Sequence, residues 1–194
     1  IMHEISHLPG GHKPLNFVHK LADGSTRHVQ TYAGPIEIYG DKLMLCIVHD
    51  ITEQKRLEEQ LEHAAHHDAM TGLLNRRQFY HITEPGQMQH LAIAQDYSLL
   101  LIDTDRFKHI NDLYGHSKGD EVLCALARTL ESCARKGDLV FRWGGEEFVL
   151  LLPRTPLDTA LSLAETIRVS VAKVSISGLP RFTVSIGVAH HEGN

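Results

Sequence analysis

Two apolar stretches flank a charged tip in the last third of the chain. Val140 to Trp143 and Phe148 to Leu152 are aliphatic, β-branched or aromatic, and Gly144, Gly145, Glu146 and Glu147 lie between them. Arms of strand length around a glycine pair predict a β-hairpin with carboxylates at its tip, the glycines supplying the positive φ of a tight turn. They also leave backbone amides uncovered, so a phosphate can approach while the two glutamates hold a hard cation against it. A Gly-Gly turn followed by solvated acids is more often structural, so chemistry here needs a carboxylate from elsewhere. Tyr97 to Ile102 supplies one: it is a second buried-strand run, and it stops at Asp103-Thr104-Asp105. Acids from two strand ends can clamp Mg²⁺ on a triphosphate. Asp105 reads as the N-cap of a helix beginning near Arg106, whereas Asp103, still at the strand end, has no helix to cap.

The remaining pattern supplies a frame. Residues 1 to 16, with Pro9, Gly10, Gly11 and Pro14, read as loop. Leu15 to His19, Thr26 to Gly34 and Lys42 to His49 are strand-like and joined at Asp23-Gly24 and Gly40-Asp41, which predicts an antiparallel meander. Thr52 to about His66 lacks glycine and proline and predicts one helix. Its narrow stripe of Ile51, Leu57, Leu61 and Ala64 or Ala65 suits either a two-stranded coiled coil or packing on its own chain. Thr71-Gly72 breaks that helix. Arg76-Arg77 open another that reaches at least Tyr80, Glu84-Pro85-Gly86 interrupts it, and Gln87 to Gln95 resume helix. Arg106 to Asp112 is helical; Gly115, Ser117 and Gly119 break it before Asp120, read as an N-cap, starts a long helix to about Cys133. Thr155 to Lys173 predicts a helix with Leu161, Ala164, Ile167 and Val171 on its buried stripe, and Arg181 to Ala189 a strand.

Composition narrows the classes. The 194 residues are 42% hydrophobic and 22% charged, enough for one full domain and part of another. A net charge of -5 argues against a nucleic-acid binder. No run is long enough to span a membrane. Cys46, Cys124 and Cys133 are odd in number and predict reduced, buried thiols of a cytoplasmic protein. Of the 15 histidines, His63, His66 and His67 with Asp68 have helical spacing that could gather metal donors, but surface histidines of a linker helix are the better reading. Ile1 is no natural initiator, so the sequence is expected to be an excised fragment whose parent could be membrane-attached.

Four ordered blocks resemble the GGDEF domain, the diguanylate cyclase family: Gly144-Gly145-Glu146-Glu147-Phe148, in the common GGEEF form; His67 through Arg77; Asp103 through Asp120; and Thr183 through Ala189. The resemblance covers about residues 66 to 189, and Asp50 to Arg56 resembles the exit motif of a PAS sensor domain. It implies residues 1-50 as the C-terminal part of a PAS-like domain, 51-66 as a helical linker through which homodimers signal, and 67-194 as a GGDEF domain truncated at its C-terminus. The implied fold is α/β (α+β): a palm-like, mainly antiparallel mixed sheet flanked by helices, preceded by a short antiparallel sheet and the linker helix.

The implied activity joins two GTP molecules into cyclic di-GMP and two pyrophosphates where two domains face each other. By the same resemblance Asp103, Glu146 and the Thr104 carbonyl would hold Mg²⁺ or Mn²⁺, with Glu146 the proton acceptor and Glu147 a supporting acid. Asn111 and Asp120 would read the guanine edge, with His116 nearby; Lys108, the amides near Phe107 and the turn at Gly144 and Gly145 would meet phosphate. Arg135 and Asp138 match the RxxD site at which cyclic di-GMP inhibits. Arg142 serves either phosphate or dimer contacts or a strand-edge salt bridge. Two alternatives stay open: a catalytically silent receptor for GTP or cyclic di-GMP, and a palm-type cyclase making a 3′,5′-monomer.

Overall fold

The computed structural model describes residues 14–84 and 96–192. The expected lead-in before Pro14 and the helix expected over Gln87 to Gln95 lie outside the described residues. Contacts divide the chain into two compact units, one ending at Glu62 and the other starting at His63.

In the first unit β1 (Leu15–Lys20), β2 (Thr26–Ile38) and β3 (Asp41–Asp50) form the antiparallel order β1-β2-β3. β2 and β3 run longer than the sequence suggested and meet at a two-residue turn, Tyr39-Gly40, one residue earlier than expected. Both of its residues take positive φ, 51° and 88°, the conformation whose twist matches the flanking strands. Among the described residues β1 pairs only as far as Thr31, so Pro35 lies on a part of β2 with no partner from β1. α1 (Thr52–His66) follows, its first amide capped by Asp50 at 2.9 Å. Leu57 and Leu61 of its stripe are exposed.

The second unit contains β4 (Leu74–Asn75), α2 (Arg76–Thr83), β5 (Asp96–Thr104), α3 (Phe107–Tyr114), α4 (His116–Cys133), β6 (Leu139–Gly144), β7 (Glu147–Pro153), α5 (Leu157–Val171) and β8 (Val184–Glu192). Its sheet has the order β4-β6-β7-β5-β8, antiparallel except for the β4–β6 pair. This is the mixed α+β fold expected, with helices flanking the sheet.

Alternation along the central strands sorts the core into two layers. Leu100 and Ile102 of β5 and Phe148, Leu150 and Leu152 of β7 join the buried faces of α3, α4 and α5. Phe141, Val149 and Leu151 face the other way, against Phe79 and Ile82 of α2. On α5 the buried stripe is Ala160, Ala164, Ile167 and Val171; Leu161, assigned to it from spacing, is exposed because the helix turns its Ala160 face to the sheet.

The expected thiol burial fails: Cys46 is exposed, since both faces of β3 are open, and Cys124 and Cys133 are half-buried; all three are free.

Leu150 is fully buried at the centre of the larger layer. Leu150→Ala should cost about 2–5 kcal/mol of stability, measured by denaturant unfolding; a loss under about 1 kcal/mol would contradict this core assignment.

Candidate active site

Antiparallel pairing of the two central strands builds the site. Asp103 sits opposite Glu147 in the β5–β7 register. The Thr104 amide and hydroxyl both donate to the Glu146 carbonyl, each at 3.3 Å. Asp103, Glu146 and Glu147 are thereby brought together at the hairpin tip. Burial raises the Glu146 carboxyl above its usual range, and the negative charges of Asp103 and Glu147 push it the same way. Of the glycine pair only Gly145 takes positive φ, at 51°, because β6 extends through Gly144 and leaves Gly145-Glu146 as the loop.

No group of three or more His, Cys, Asp or Glu suited to hold a metal occurs among the described residues. The carboxylates do suit a hard divalent ion: oxygen donors crowded enough to repel one another gain from a cation, and Mg²⁺ keeps water and phosphate oxygens in its remaining positions.

Arg142 resolves to the salt-bridge reading, and to more. Its Nη1 meets both Asp68 oxygens, at 3.0 and 3.2 Å, while Nη2 and Nε donate to the Gly145 carbonyl at 2.9 and 3.3 Å. Asp68 also accepts from the Thr71 amide and hydroxyl. Burial alone would raise the Asp68 carboxyl, but the Thr71 hydrogen bonds and the Arg142 charge outweigh it and hold it below the usual range. Asn75 caps α2 through the Gln78 amide and donates to the Ala65 and His67 carbonyls. The segment from α1 to α2 is thus tied to the hairpin tip by Asp68 and Arg142. The sequence signal for this role was the HDAMTG block, to which no chemistry was assigned.

The expected guanine pair stands on adjoining helices. Asn111 lies in α3, half-buried, and its Oδ1 is shielded from solvent without a hydrogen-bond partner among the described residues. Gly119 makes its room: a Cβ there would come within 2.0 Å of that oxygen. Asp120 is exposed on α4, which begins at His116 rather than at Asp120 as expected, so Asp120 is no N-cap. Gly115, at φ 84°, makes the whole break between the helices. Lys108 and His116 are exposed, whereas the Phe107 ring is core and only its backbone belongs to the first turn of α3. Asp105 does not cap α3 either. Its carboxylate accepts from Thr183 Oγ1 at 2.5 Å and Ser185 Oγ at 2.6 Å, pinning β8 to β5, and Arg106 occupies the cap position with φ 56° and no side-chain bond.

Arg135 and Asp138 are paired at 3.0 Å. Arg135 Nη2 also donates to the Pro153 carbonyl at 2.8 Å and to the buried Thr155 hydroxyl. The Thr155 carbonyl accepts from buried Ser98 at 2.7 Å, and the same Ser98 oxygen lies 3.0 Å from His190 Nδ1. Nothing in the spacing of Thr155, Ser98 and His190 announced this network. Among the linker histidines, His63 and His67 stack at 4.1 Å, while Asp68 is engaged by Thr71 and Arg142 instead.

Residues 65–194 match the family described as diguanylate cyclase, GGDEF domain. The uncharacterized protein YhcK of Bacillus subtilis is 37% identical over 179 residues, covering 90% of this chain and 50% of that protein. A diguanylate cyclase of Vibrio cholerae is 43% identical over 119 residues, 61% of this chain and 37% of that protein. The chain therefore spans half the length, or less, of these curated relatives. Among solved structures, the coiled coil and GGDEF domain of DgcB from Caulobacter crescentus in complex with c-di-GMP superposes with a TM-score of 0.64 at 29% identity, covering 73% of this chain and 78% of that one. The diguanylate cyclase SiaD of Pseudomonas aeruginosa, in complex with its activator SiaC, gives 0.61 at 39% identity, over 72% and 55%.

Asp68→Asn should cost about 1–3 kcal/mol, since it leaves the Arg142 charge without its partner. The Asp68 carboxyl lies below its unfolded value, so its contribution is present above the ordinary carboxylate range and is lost as pH falls through the folded value. Wild type and variant should converge in stability on acidification, read by denaturant unfolding across pH. A pH-independent gap would sink the ion-pair account.

Proposed function

This chain belongs to the GGDEF, diguanylate cyclase, family, and from that membership we propose that it condenses two GTP molecules into cyclic di-GMP and two pyrophosphates. The reading is carried by one observation: the β5–β7 pairing sets Asp103 opposite Glu147 and bonds Thr104 to the Glu146 carbonyl, gathering three carboxylates at the hairpin tip. Crowded acids of this kind are what a cation bound to triphosphate relieves. Asp103, Glu146 and the Thr104 carbonyl would hold Mg²⁺ or Mn²⁺, which would supply positive charge to the α-phosphate and lower the pKa of the attacking 3′-hydroxyl.

Glu146 accepts the hydroxyl proton. Glu147 adds negative charge beside it. The unpartnered Asn111 oxygen and the Asp120 carboxylate share the guanine N1 and N2 hydrogens as acceptors, with His116 flanking them. Lys108, the amides near Phe107 and the Gly144-Gly145 turn line the phosphates. Each 3′-oxygen forms a bond to the α-phosphorus of the facing GTP, the α–β phosphoanhydride breaks, and pyrophosphate leaves. Two domains must therefore face each other as a homodimer, set by the linker helix.

Residues 1-50 are the end of a PAS-like sensor, 51-66 the linker and 67-194 the catalytic domain, working in the cytoplasm. Among the described residues no helix is long and apolar enough to cross a membrane. Cyclic di-GMP inhibits by binding Arg135 and Asp138. A silent receptor is the second reading, favoured by the preassembled Arg135–Asp138 pair; it leaves the Asp103 and Glu146 cluster without a task.

Incubating the protein with GTP and Mg²⁺ and identifying the product by chromatography tests the proposal; absence of cyclic di-GMP overturns it. Glu146→Ala should lower turnover by about 10²–10⁴-fold, and wild-type turnover would remove Glu146 from the site. Arg135→Ala should retain turnover yet weaken product inhibition; unchanged inhibition would detach the RxxD pair from control. Protonation of Glu146 removes a ligand charge, so metal-dependent activity should fall on acidification at a higher pH than for an isolated glutamate. Glu147→Gln removes one of the charges raising Glu146 and should move that acid limb to lower pH; an unmoved limb would exclude Glu146 as its origin.

A further inference from the structure

A cleft of about 620 Å³ opens between the start of α3 and the residues leading into β8, lined by Asp105, Arg106, His109 and Ile110 on one side and Pro180, Arg181, Phe182 and Thr183 on the other. Two guanidinium groups bring cationic donors to this cleft, beside an imidazole, in a protein of net charge -5. Its only carboxylate is already engaged: both Asp105 oxygens accept hydroxyl protons, from Thr183 and Ser185. Neither Arg106 nor Arg181 forms an ion pair among the described residues. Arg106 is moreover held at φ 56°, a left-handed conformation unusual for a long side chain, in the turn that carries it to the cleft. Strain of this kind persists where the surrounding structure imposes it, and it collects at ligand sites.

We propose that this cleft is a phosphoanhydride site, in which Arg106 and Arg181 grip a pyrophosphoryl group and His109 flanks it. Planar guanidinium forks match phosphate oxygens in pairs, and two of them facing one cleft can take two linked phosphates. Asp105 follows Asp103 by two residues, so the cleft begins within about 7 Å of chain from the proposed cation site. The pyrophosphoryl group has two possible sources, the tail of a bound triphosphate nucleotide and the pyrophosphate released from it. The choice of pyrophosphoryl among phosphate-bearing ligands rests on the proposed reaction; the existence of the anion site rests on the cleft.

Isothermal titration of the full chain with inorganic pyrophosphate, without metal or nucleotide, tests the site. Arg106→Ser with Arg181→Ser should weaken binding at least tenfold with melting temperature unchanged, and each single substitution should weaken it by a smaller factor. Arg106→Lys with Arg181→Lys, which keeps charge but loses the fork, should bind between the two. Arg168→Ala, which removes an arginine paired with Glu165 on α5, should leave the titration as it is in wild type. Equal binding by wild type and the double serine variant, or an equal loss in Arg168→Ala, overturns the site. A non-hydrolysable GTP analogue that competes with pyrophosphate supports the site and identifies the triphosphate tail as the source. An analogue that binds beside it supports the site for the free anion. Because no turnover is read, failure to make cyclic di-GMP would sink the proposed reaction without touching this result.

Discussion

The pairing of β5 with β7 fixes everything that matters at the candidate site. It places Asp103 opposite Glu147 and bonds Thr104 to the Glu146 carbonyl, so acids more than forty residues apart must share one small volume. Such crowding costs free energy in the bare protein, because burial and two like charges oppose ionisation of Glu146. The strands tolerate it because the same pairing buries Leu100, Ile102, Phe148 and Leu150 in the larger core layer. Apolar burial at about 25 cal/mol per Å² outweighs a partly solvated repulsion of this kind. The core thus holds the acids where their own electrostatics would separate them.

The hairpin tip is steadied from a second direction. Arg142 lies on β6 and carries Asp68 on one side and the Gly145 carbonyl on the other. Asp68 belongs to the turn that follows α1, and Asn75 anchors the end of that helix through the Ala65 carbonyl. A displacement of the α1 end is therefore felt at the tip through only two side chains. A guanidinium serves where an ammonium would not, because its planar fork meets the carboxylate and the carbonyl together.

Periodicity made the architecture legible. The hairpin, the strand ending at Asp103, the linker helix and the α5 helix follow from alternation and turn chemistry, and the resemblance placed Asp103, Glu146, Asn111 and Asp120 on the elements where they stand. What spacing did not reveal depends on contacts between distant segments. Asp105 looked like a cap because a carboxylate before a helix usually is one, yet hydroxyls from Thr183 and Ser185, far along the chain, engage it instead. Asp120 looked like a helix start because glycines precede it, but Gly119 is helical and buried, its missing side chain making space for Asn111. Thr155 gave no signal, since a threonine near a helix start is ordinary.

That threonine joins Arg135 to the strand that carries Asp103. Its hydroxyl meets Arg135 and its carbonyl meets Ser98, which sits on β5 five residues before Asp103. A ligand that draws Arg135 outward must break or stretch a hydrogen bond to a fully enclosed group, and a buried polar group left unpaired is costly. The least costly response is for Thr155 to follow, and Ser98 with it. β5 is bonded on both edges, by β7 and β8, and carries Asp103 one residue before its end. Arg135 is thereby joined to the strand that carries Asp103 through Thr155 and Ser98, both buried and each with an identified partner.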